Sequence, residues 1–178
     1  MPPRPVASRS PPIRIRRAAA ADLAALIDLE NRVFTSDRLS ARQMRHHLGN
    51  PRAAVLVATR SGALAGVAVV FFHASHRIAR LYSIAVAADA RGLGIGEVLL
   101  AAAERLARAR GASAMRLEVR TDNAAAHRLY ERRGYRHFDM RRGYYEDGRD
   151  ALRYEKVFAP IRTRSPQRGR RGVSPSRP

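Results

Sequence analysis

Hydrophobic and polar positions along the chain follow two periods, one helical and one that alternates as strands do. Leu23, Leu26, Ile27 and Leu29 recur at helical spacing, and Ser40 can cap a second helix that ends at the letters GNP. The pattern predicts strands at 13–16, 80–87, 114–120, 135–140 and 151–158, helices at 22–34, 40–48, 96–110 and 123–133, and two further strands within 53–72 joined at Ser61 and Gly62.

The order of these elements is β, α, α, β, β, β, α, β, α, β, β. It predicts a mixed α/β fold, in which helices cover both faces of one mixed sheet. No internal repeat is visible, and the length suits one domain, which we place at 13–160.

No segment has the length and apolarity of a membrane span. The longest apolar run, GALAGVAVVFF, is shorter than the roughly 18 residues that a span needs. An Arg pair precedes an Ala-rich run near the start, but Asp22 and Asp28 interrupt that run, which favours an amphipathic helix over a signal peptide. The chain has no cysteine, which excludes disulfides and thiolate chemistry by its own side chains. We therefore expect a cytoplasmic protein with no membrane contact.

Charge is the strongest compositional feature. The chain carries 34 Lys and Arg against 15 Asp and Glu, a formal net charge of +19. The segments 1–12 and 161–178 are rich in Pro, Ser and Arg and contain no acidic residue, so we predict disordered basic tails. Residues 13–160 are basic as well. Such charge favours weak contact with RNA, ribosomes or acidic partners, although genome base composition produces the same Arg-rich and Ala-rich usage.

A glycine-rich turn, RGLGIG, lies between the strand at 80–87 and the helix at 96–110. A strand that enters a helix through such a turn directs several backbone N–H groups and the helix dipole at one point, which suits a phosphate. The turn lacks the Lys and Ser/Thr of a P-loop, and it follows the fourth strand rather than the first, unlike a dinucleotide fold. The pyrophosphate of another cofactor and a tight connection without a ligand remain as interpretations.

The segment SIAVAADARGLGIGEVLL resembles motif A of the GCN5-related N-acetyltransferase (GNAT) family, with Arg91, Gly94 and Gly96 in the motif's defining positions. The downstream segment LEVRTDNAAAHRLYERRGYRHFDMRRGYYEDGRDALRYEK is similar to the bacterial ribosomal-protein alanine N-acetyltransferase branch. The resemblance covers about residues 13–158. It implies a mostly antiparallel sheet with a V-shaped splay between the fourth and fifth strands.

The same resemblance implies acetyl-CoA as the cofactor. Its pyrophosphate would lie on the backbone of the turn, and its pantetheine arm would follow the fourth strand where the strands part. The implied contacts are Ile84, Ala85, Val86, Arg91, Gly92, Leu93, Gly94, Ile95, Gly96, Glu97 and Asn123.

Glu118 is the first of two candidate catalytic residues. Met115, Leu117 and Val119 form one face of its strand, so Glu118 lies on the other face with Arg116 and Arg120. A carboxylate there can serve as a general base, or it can form an ordinary ion pair with either arginine. The family resemblance places Glu118 at the position of the proton acceptor.

Tyr130 is the second candidate. A phenol with a pKa near 10 can protonate a departing thiolate, and the resemblance places Tyr130 at the position of the proton donor. The alternative is a tyrosine that packs on Ala126 one helical turn back. Tyr144 and Tyr145 are either residues of the acceptor channel or aromatic residues of the sheet. The six histidines show no HExxH arrangement, so we predict no metal site.

The acceptor is the least defined part of the prediction. The ribosomal branch carries Pro-Trp between the first two helices, whereas this chain contains no Trp. The leading hypothesis is an N-acetyltransferase acting on a protein N-terminal α-amine, with ribosomal proteins among the acceptors. A small-amine N-acetyltransferase and a ribosome- or RNA-binding module are the alternatives. Both a monomer and a homodimer are compatible with the sequence.

Overall fold

The computed structural model describes residues 11–159, and its elements follow the predicted order. The strands are β1 Arg14–Arg17, β2 Ala53–Arg60, β3 Ala63–Phe72, β4 Ile78–Val86, β5 Ala114–Arg120, β6 Arg136–Arg141 and β7 Ala151–Val157. The helices are α1 Leu23–Val33, α2 Ala41–Gly49, α3 Ile95–Ala109 and α4 Ala124–Arg132, and short 3-10 turns cover Ala20–Asp22 and Ala88–Ala90.

Local sequence signals set the ends of several elements. The hydroxyl of Ser40 accepts a hydrogen bond from the Gln43 N–H while the Gln43 side chain accepts one from the Ser40 N–H, a capping box that starts α2. At the β2–β3 hairpin both turn residues, Ser61 and Gly62, have positive φ, as a two-residue turn matched to the strand twist requires. The predicted cap and hairpin are confirmed.

The seven strands form one sheet in the order β1-β2-β3-β4-β5-β7-β6. Every neighbouring pair is antiparallel except β4 and β5, which are parallel. Helices cover both faces, so the predicted mixed α/β fold is confirmed. Helix α3 packs closely on β3, since a Cβ atom at Gly66 would lie 2.9 Å from the Ala85 carbonyl oxygen and 2.9 Å from Leu99. This contact holds the start of α3 beside the end of β4.

A buried ion cluster joins α3 to the end of α4 and to β7. Glu104 is only 5% exposed. Its carboxylate accepts hydrogen bonds from Arg133 Nη2 at 2.8 Å and from Lys156 Nζ at 3.0 Å. Because these three residues come from separate elements, the cluster fastens α3 to the end of α4 and to β7.

The predicted tails at 1–12 and 161–178 lie outside the described residues, apart from Pro11 and Pro12. The boundaries of the predicted domain at 13–160 stay a prediction. Within residues 11–159, no helix is long and apolar enough to cross a membrane.

Candidate active site

Strands β4 and β5 run side by side for only part of their length. Four residue pairs join them, and the last is Leu81 beside Leu117. Beyond that pair β4 continues to Val86, paired only with β3 on its other side. The two strands therefore part, and the predicted splay is confirmed. The three strand residues predicted to contact the cofactor arm lie in this stretch: Ile84, Ala85 and Val86.

The glycine turn follows β4 directly and leads into α3. Within the described part of the chain, the backbone N–H groups of residues 92–97 donate no hydrogen bond. A helix always begins with unpaired donors, and the turn adds further ones ahead of α3. The result is a set of adjacent free donors at the positive end of the helix dipole, which is the environment that a phosphate needs.

Glycine suits the three positions of the turn for different physical reasons. Gly92 and Gly94 have φ values of +78° and +76°, the left-handed region where a side chain is strained, although a Cβ at either would meet no atom within 4 Å. Gly96 has no such constraint. A Cβ there would lie 3.5 Å from Leu129 and 3.7 Å from Val86, so Gly96 keeps open the space between α4 and β4.

Glu118 is the first residue of β5 beyond the last pair with β4, so its carboxylate lies where the strands part. Leu117 and Val119 are buried on the opposite face, as the alternation predicts. The Glu118 side chain is 9% exposed. Its Oε2 accepts a hydrogen bond from Arg80 Nε at 2.9 Å, and Arg153 Nε lies 3.5 Å from its Oε1. Oε1 accepts no hydrogen bond within residues 11–159.

Two arginines that were not predicted therefore hold Glu118. The alternative prediction, an ion pair with Arg116 or Arg120, is wrong about the partners, because Arg116 pairs with Glu155 and Arg120 with two aspartates. Arg80 also donates from Nη2 to the Tyr144 hydroxyl at 2.6 Å. The sequence signal for Arg80 was a charged residue directly before the buried Leu81, on the face of β4 that Glu118 shares on β5.

Tyr130 is buried in α4, with its ring against Tyr135 and Tyr154. Burial raises the pKa of Tyr130, and Tyr145 nearby raises it further. Tyr130 therefore keeps its proton throughout the neutral range. Asn123 begins the same helix, and its Oδ1 accepts a hydrogen bond from the Ala126 N–H at 3.1 Å. The side-chain oxygen of Asn123 thus acts as the helix cap.

Tyr144 and Tyr145 lie in the connection between β6 and β7, with their rings perpendicular and 5.0 Å apart. Burial raises the pKa of Tyr145, with smaller contributions from Tyr144 and Glu118. Tyr144 is linked to Glu118 through Arg80, which donates to both side chains. Three of the predicted residues, Glu118, Tyr144 and Tyr145, therefore lie on β5 and on the connection that Arg80 joins to it.

A reciprocal pair of hydrogen bonds, here called the loop clasp, joins this connection to the one between α1 and α2. The Glu146 N–H donates to Asp37 Oδ1 at 3.1 Å, and the Asp37 N–H donates to Glu146 Oε2 at 3.4 Å. Asp37 has a φ of +54°, which an aspartate tolerates better than most residues. The two residues are 109 positions apart in the sequence, so no local pattern could reveal the loop clasp.

The sequence model of the acetyltransferase (GNAT) family matches residues 23–135. The chain belongs to this family. The matched region contains the glycine turn, the splay, Glu118 and Tyr130. This GNAT protein is an N-acetyltransferase that uses acetyl-CoA as its acetyl donor.

Individual GNAT proteins resemble the chain to different extents. A Bacillus subtilis protein assigned as a ribosomal protein bS18-alanine N-acetyltransferase is 32% identical over 139 residues, covering 78% of this chain and 91% of that protein. The crystal structure of the ribosomal-protein-S18-alanine N-acetyltransferase from Escherichia coli has a TM-score of 0.75 at 29% identity, covering 84% of this chain and 96% of that one. A streptothricin acetyltransferase of Streptomyces lavendulae is 43% identical over 74 residues, covering 42% of this chain and 39% of that protein.

The residues present fit acetyl-CoA. The free donors of residues 92–97 suit its pyrophosphate, and Arg91 beside them is exposed and can add a positive charge. Ahead of the turn, the stretch of β4 after Leu81 has no partner on one side, where its backbone can bond the pantetheine arm. When bound, acetyl-CoA supplies an acetyl thioester, which an amine can attack.

We expect Gly94→Ala to weaken acetyl-CoA binding by about tenfold, because a side chain at positive φ costs about 1–2 kcal/mol and the turn would relax away from its donor arrangement. Gly111→Ala is the matched control, since Gly111 has a φ of +81° and equally open surroundings at the far end of α3. Calorimetric titration of both variants with acetyl-CoA checks this. Equal losses in the two variants would assign the effect to general strain.

A buried acidic residue, Glu30, lies in α1. Glu30 is buried, and its Oε1 accepts a hydrogen bond from the Leu39 N–H at 2.9 Å, which fastens the connection between α1 and α2. Burial raises the pKa of Glu30. No group of three His, Asp or Glu side chains in the described ranges could hold a metal ion.

Proposed function

We propose that this enzyme acetylates the N-terminal α-amine of a protein, with ribosomal proteins as the first acceptors to test. The amine would attack the thioester directly, with Glu118 as general base and Tyr130 as proton donor. The observation that carries the proposal is the position of the Glu118 carboxylate at the parting of β4 and β5, linked through Arg80 to Tyr144 of the β6–β7 connection.

The choice of acceptor rests on how far each likeness extends. The likeness to the ribosomal-protein alanine enzyme of Bacillus subtilis covers 91% of that protein. The likeness to the streptothricin enzyme covers only 39% of that protein. Because substrate choice in an enzyme depends on the loops around its site, the longer sequence match favours a protein α-amine. A solved nourseothricin acetyltransferase aligns over 98% of its own chain at 28% identity, so the small-amine alternative is included in the test below.

An amine must lose a proton before it can attack. At pH 7 this costs about 1.4 kcal/mol for an α-amine with a pKa near 8, and nearer to 4.6 kcal/mol for a lysine with a pKa near 10.4. Arg80 occupies Oε2 of Glu118, which leaves Oε1 as the oxygen that can accept this proton. Arg80 and Arg153 hold the carboxylate in one orientation, so little ordering is needed when the acceptor arrives.

Bond formation between the amine nitrogen and the acetyl carbon breaks the bond from that carbon to sulfur. The free backbone groups of β4 at Ile84–Val86 can donate to the carbonyl oxygen as it gains negative charge. Tyr130 retains its proton and can give it to the departing sulfur. The ammonium loses two protons as it becomes an amide: one leaves through Glu118 to water, and the other restores the proton that Tyr130 gives to sulfur, which balances the reaction.

We expect Tyr130→Phe to lower kcat by about 30- to 100-fold with little change in the acetyl-CoA dissociation constant, because the ring stays while the donor is lost. Tyr135→Phe is the control. Its ring lies 5.7 Å from that of Tyr130, so it removes a neighbouring hydroxyl in the same aromatic group. Steady-state kinetics on both variants checks this. Equal kcat values for Tyr130→Phe and the unmodified enzyme would remove Tyr130 from the mechanism.

The acceptor itself is tested with labelled acetyl-CoA and a matched panel, with mass spectrometry of the product. The panel contains two peptides and two small amines. One peptide is a ribosomal-protein sequence with a free N-terminal alanine, and the other is the same sequence with a blocked N-terminus and one internal lysine. The small amines, tested separately, are streptothricin and a polyamine. We expect label on the free α-amine only. Preferential label on the small amines would replace the proposal with the small-molecule alternative, and label on the blocked peptide would indicate lysine acetylation.

A further inference from the structure

A second charged site lies at the opposite end of β4 from the glycine turn. The connection between β3 and β4 and the end of α3 border an open surface hollow of about 510 Å³, here called the basic hollow. Its polar side chains are mostly basic: His73, His76, Arg77 and Arg110, together with Ser75. At about 3.3 Å per strand residue, the nine residues of β4 separate it from the glycine turn by roughly 30 Å. The hollow is therefore distinct from the acetyl-CoA site.

The positive charge of the basic hollow has no counter-charge in the described part of the chain. No carboxylate lines it, and neither Arg77 nor Arg110 forms an ion pair within residues 11–159. Burial lowers the pKa of Arg110, and the nearby Arg17 lowers it further. Other described arginines, such as Arg105 and Arg136, also form no ion pair, so the hollow is distinguished by the number of basic side chains that line it together. Like charges gathered without a partner are unfavourable unless an anion joins them.

Each of the two arginines is held by a hydrogen bond from one nitrogen of its guanidinium group. Arg77 Nε donates to the Gly111 carbonyl oxygen at 2.7 Å, and Arg110 Nη1 donates to the Pro51 carbonyl oxygen at 3.0 Å. The Arg110 guanidinium also lies over the Phe72 ring, 4.4 Å from its centroid. The remaining nitrogens of both groups donate no hydrogen bond within the described residues. They are positioned donors of the kind that bind phosphate oxygens in pairs.

The histidines add a flat surface to these donors. The rings of His73 and His76 are stacked, with centroids 4.1 Å apart and planes 9° apart. The Ser75 N–H donates to His73 Nδ1, which places the proton of the neutral His73 ring on Nε2 as a further donor. Exposed ring faces beside positive charge are the combination on which unpaired nucleobases stack.

The described chain also ends next to the basic hollow. The Phe158 N–H donates to the Ser113 carbonyl oxygen, and the Ser113 N–H donates to the Arg77 carbonyl oxygen. The sequence that continues from this point, 161–178, contains six arginines and no acidic residue. The last described residues therefore lie beside the basic hollow.

We propose that the basic hollow binds the phosphate backbone of single-stranded RNA, with Arg77 and Arg110 as phosphate ligands and the His73–His76 stack as a platform for a base. This site is additional to the acetyltransferase reaction and does not depend on the identity of the acceptor.

The test measures binding of a fluorescent single-stranded RNA of about 12 nucleotides to the full chain by anisotropy. The double variant Arg77→Gln with Arg110→Gln removes two charges from the hollow. The control, Arg105→Gln with Arg136→Gln, removes two charges from exposed positions on α3 and β6. We expect the hollow variant to bind the RNA at least tenfold more weakly. The slope of log K against log salt concentration should become shallower by about 1.4, since each of the two lost phosphate contacts contributes about 0.7. The control should change affinity less than threefold.

Further arms separate the alternatives. Acetyl-CoA affinity and the thermal unfolding midpoint report whether each variant is folded, and His73→Asn with His76→Gln tests the hollow without altering either arginine. We expect this second variant also to weaken RNA binding. Equal RNA affinity for the hollow and control variants would overturn the proposal, as would loss of binding on deletion of 161–178 with no effect of the hollow variants. Displacement of RNA by millimolar inorganic phosphate, or tighter binding of duplex RNA, would also contradict it.

Discussion

Replacement of Glu118 by Gln is expected to lower kcat by about 100- to 1000-fold while leaving acetyl-CoA affinity within about twofold. The amide cannot take a proton from the acceptor amine, but it has the size of the carboxylate and lies away from the glycine turn. Because Arg80 holds Oε2 at 2.9 Å, the amide oxygen can still accept that hydrogen bond. The loss should therefore appear in the chemical step rather than in the fold.

The control for this experiment is Glu155→Gln. Glu155 pairs with Arg116 across β7 and β5 at 2.6 Å, so it reproduces a cross-strand ion pair on the same sheet. We expect its kcat to stay within about twofold of the unmodified enzyme. Glu118→Asp, which keeps the carboxylate but shortens its reach, should retain an intermediate rate. Full activity of Glu118→Gln, or equal losses in both Gln variants, would remove Glu118 as the general base.

Arg80 fixes the orientation of the Glu118 carboxylate. It donates hydrogen bonds to both Glu118 and Tyr144, so the proposed base and a residue proposed to line the acceptor channel are fastened together. If Glu118 is the general base, its Oε1 is the oxygen that can take the proton, because Arg80 donates a hydrogen bond to Oε2 while Arg153 only approaches Oε1 to 3.5 Å.

Much of the fold could be predicted because its signals are local. The alternation in β5 identifies the face that carries Glu118, and Gly62 readily adopts the positive φ that the two-residue hairpin turn needs. The position of the glycine turn after the fourth strand excludes the common nucleotide motifs. These features depend on neighbours in sequence, where hydrophobic period and turn chemistry act directly.

The environment of the site could not be predicted because its contacts are distant in the chain. Arg80 and Glu118 are 38 positions apart, and the loop clasp of Asp37 and Glu146 spans 109. Ion-pair partners follow from strand register and loop packing, which a charge pattern does not contain. The expected partners Arg116 and Arg120 were neighbours in sequence on the same face, but other carboxylates neutralise them.

Glu104→Gln is expected to destabilise the fold by about 3 kcal/mol. The Glu104 side chain is 7% exposed, while those of Arg133 and Lys156 are 27% and 18% exposed, so loss of the carboxylate charge leaves two poorly solvated cations close together. At about 2–4 °C per kcal/mol, the thermal midpoint should fall by about 6–12 °C. Differential scanning calorimetry checks the shift.

Asp28→Asn provides the control for Glu104, because it also removes a carboxylate from an ion pair. Asp28 pairs with Arg32 at 2.8 Å, but both side chains are more than 60% exposed, so water already screens the interaction. We expect a change below about 0.5 kcal/mol. Replacing Glu104, Arg133 and Lys156 together by Leu, Leu and Met should restore much of the stability that Glu104→Gln loses, because no buried charge remains unpaired. If the triple variant is as unstable as Glu104→Gln, packing rather than charge explains the role of Glu104.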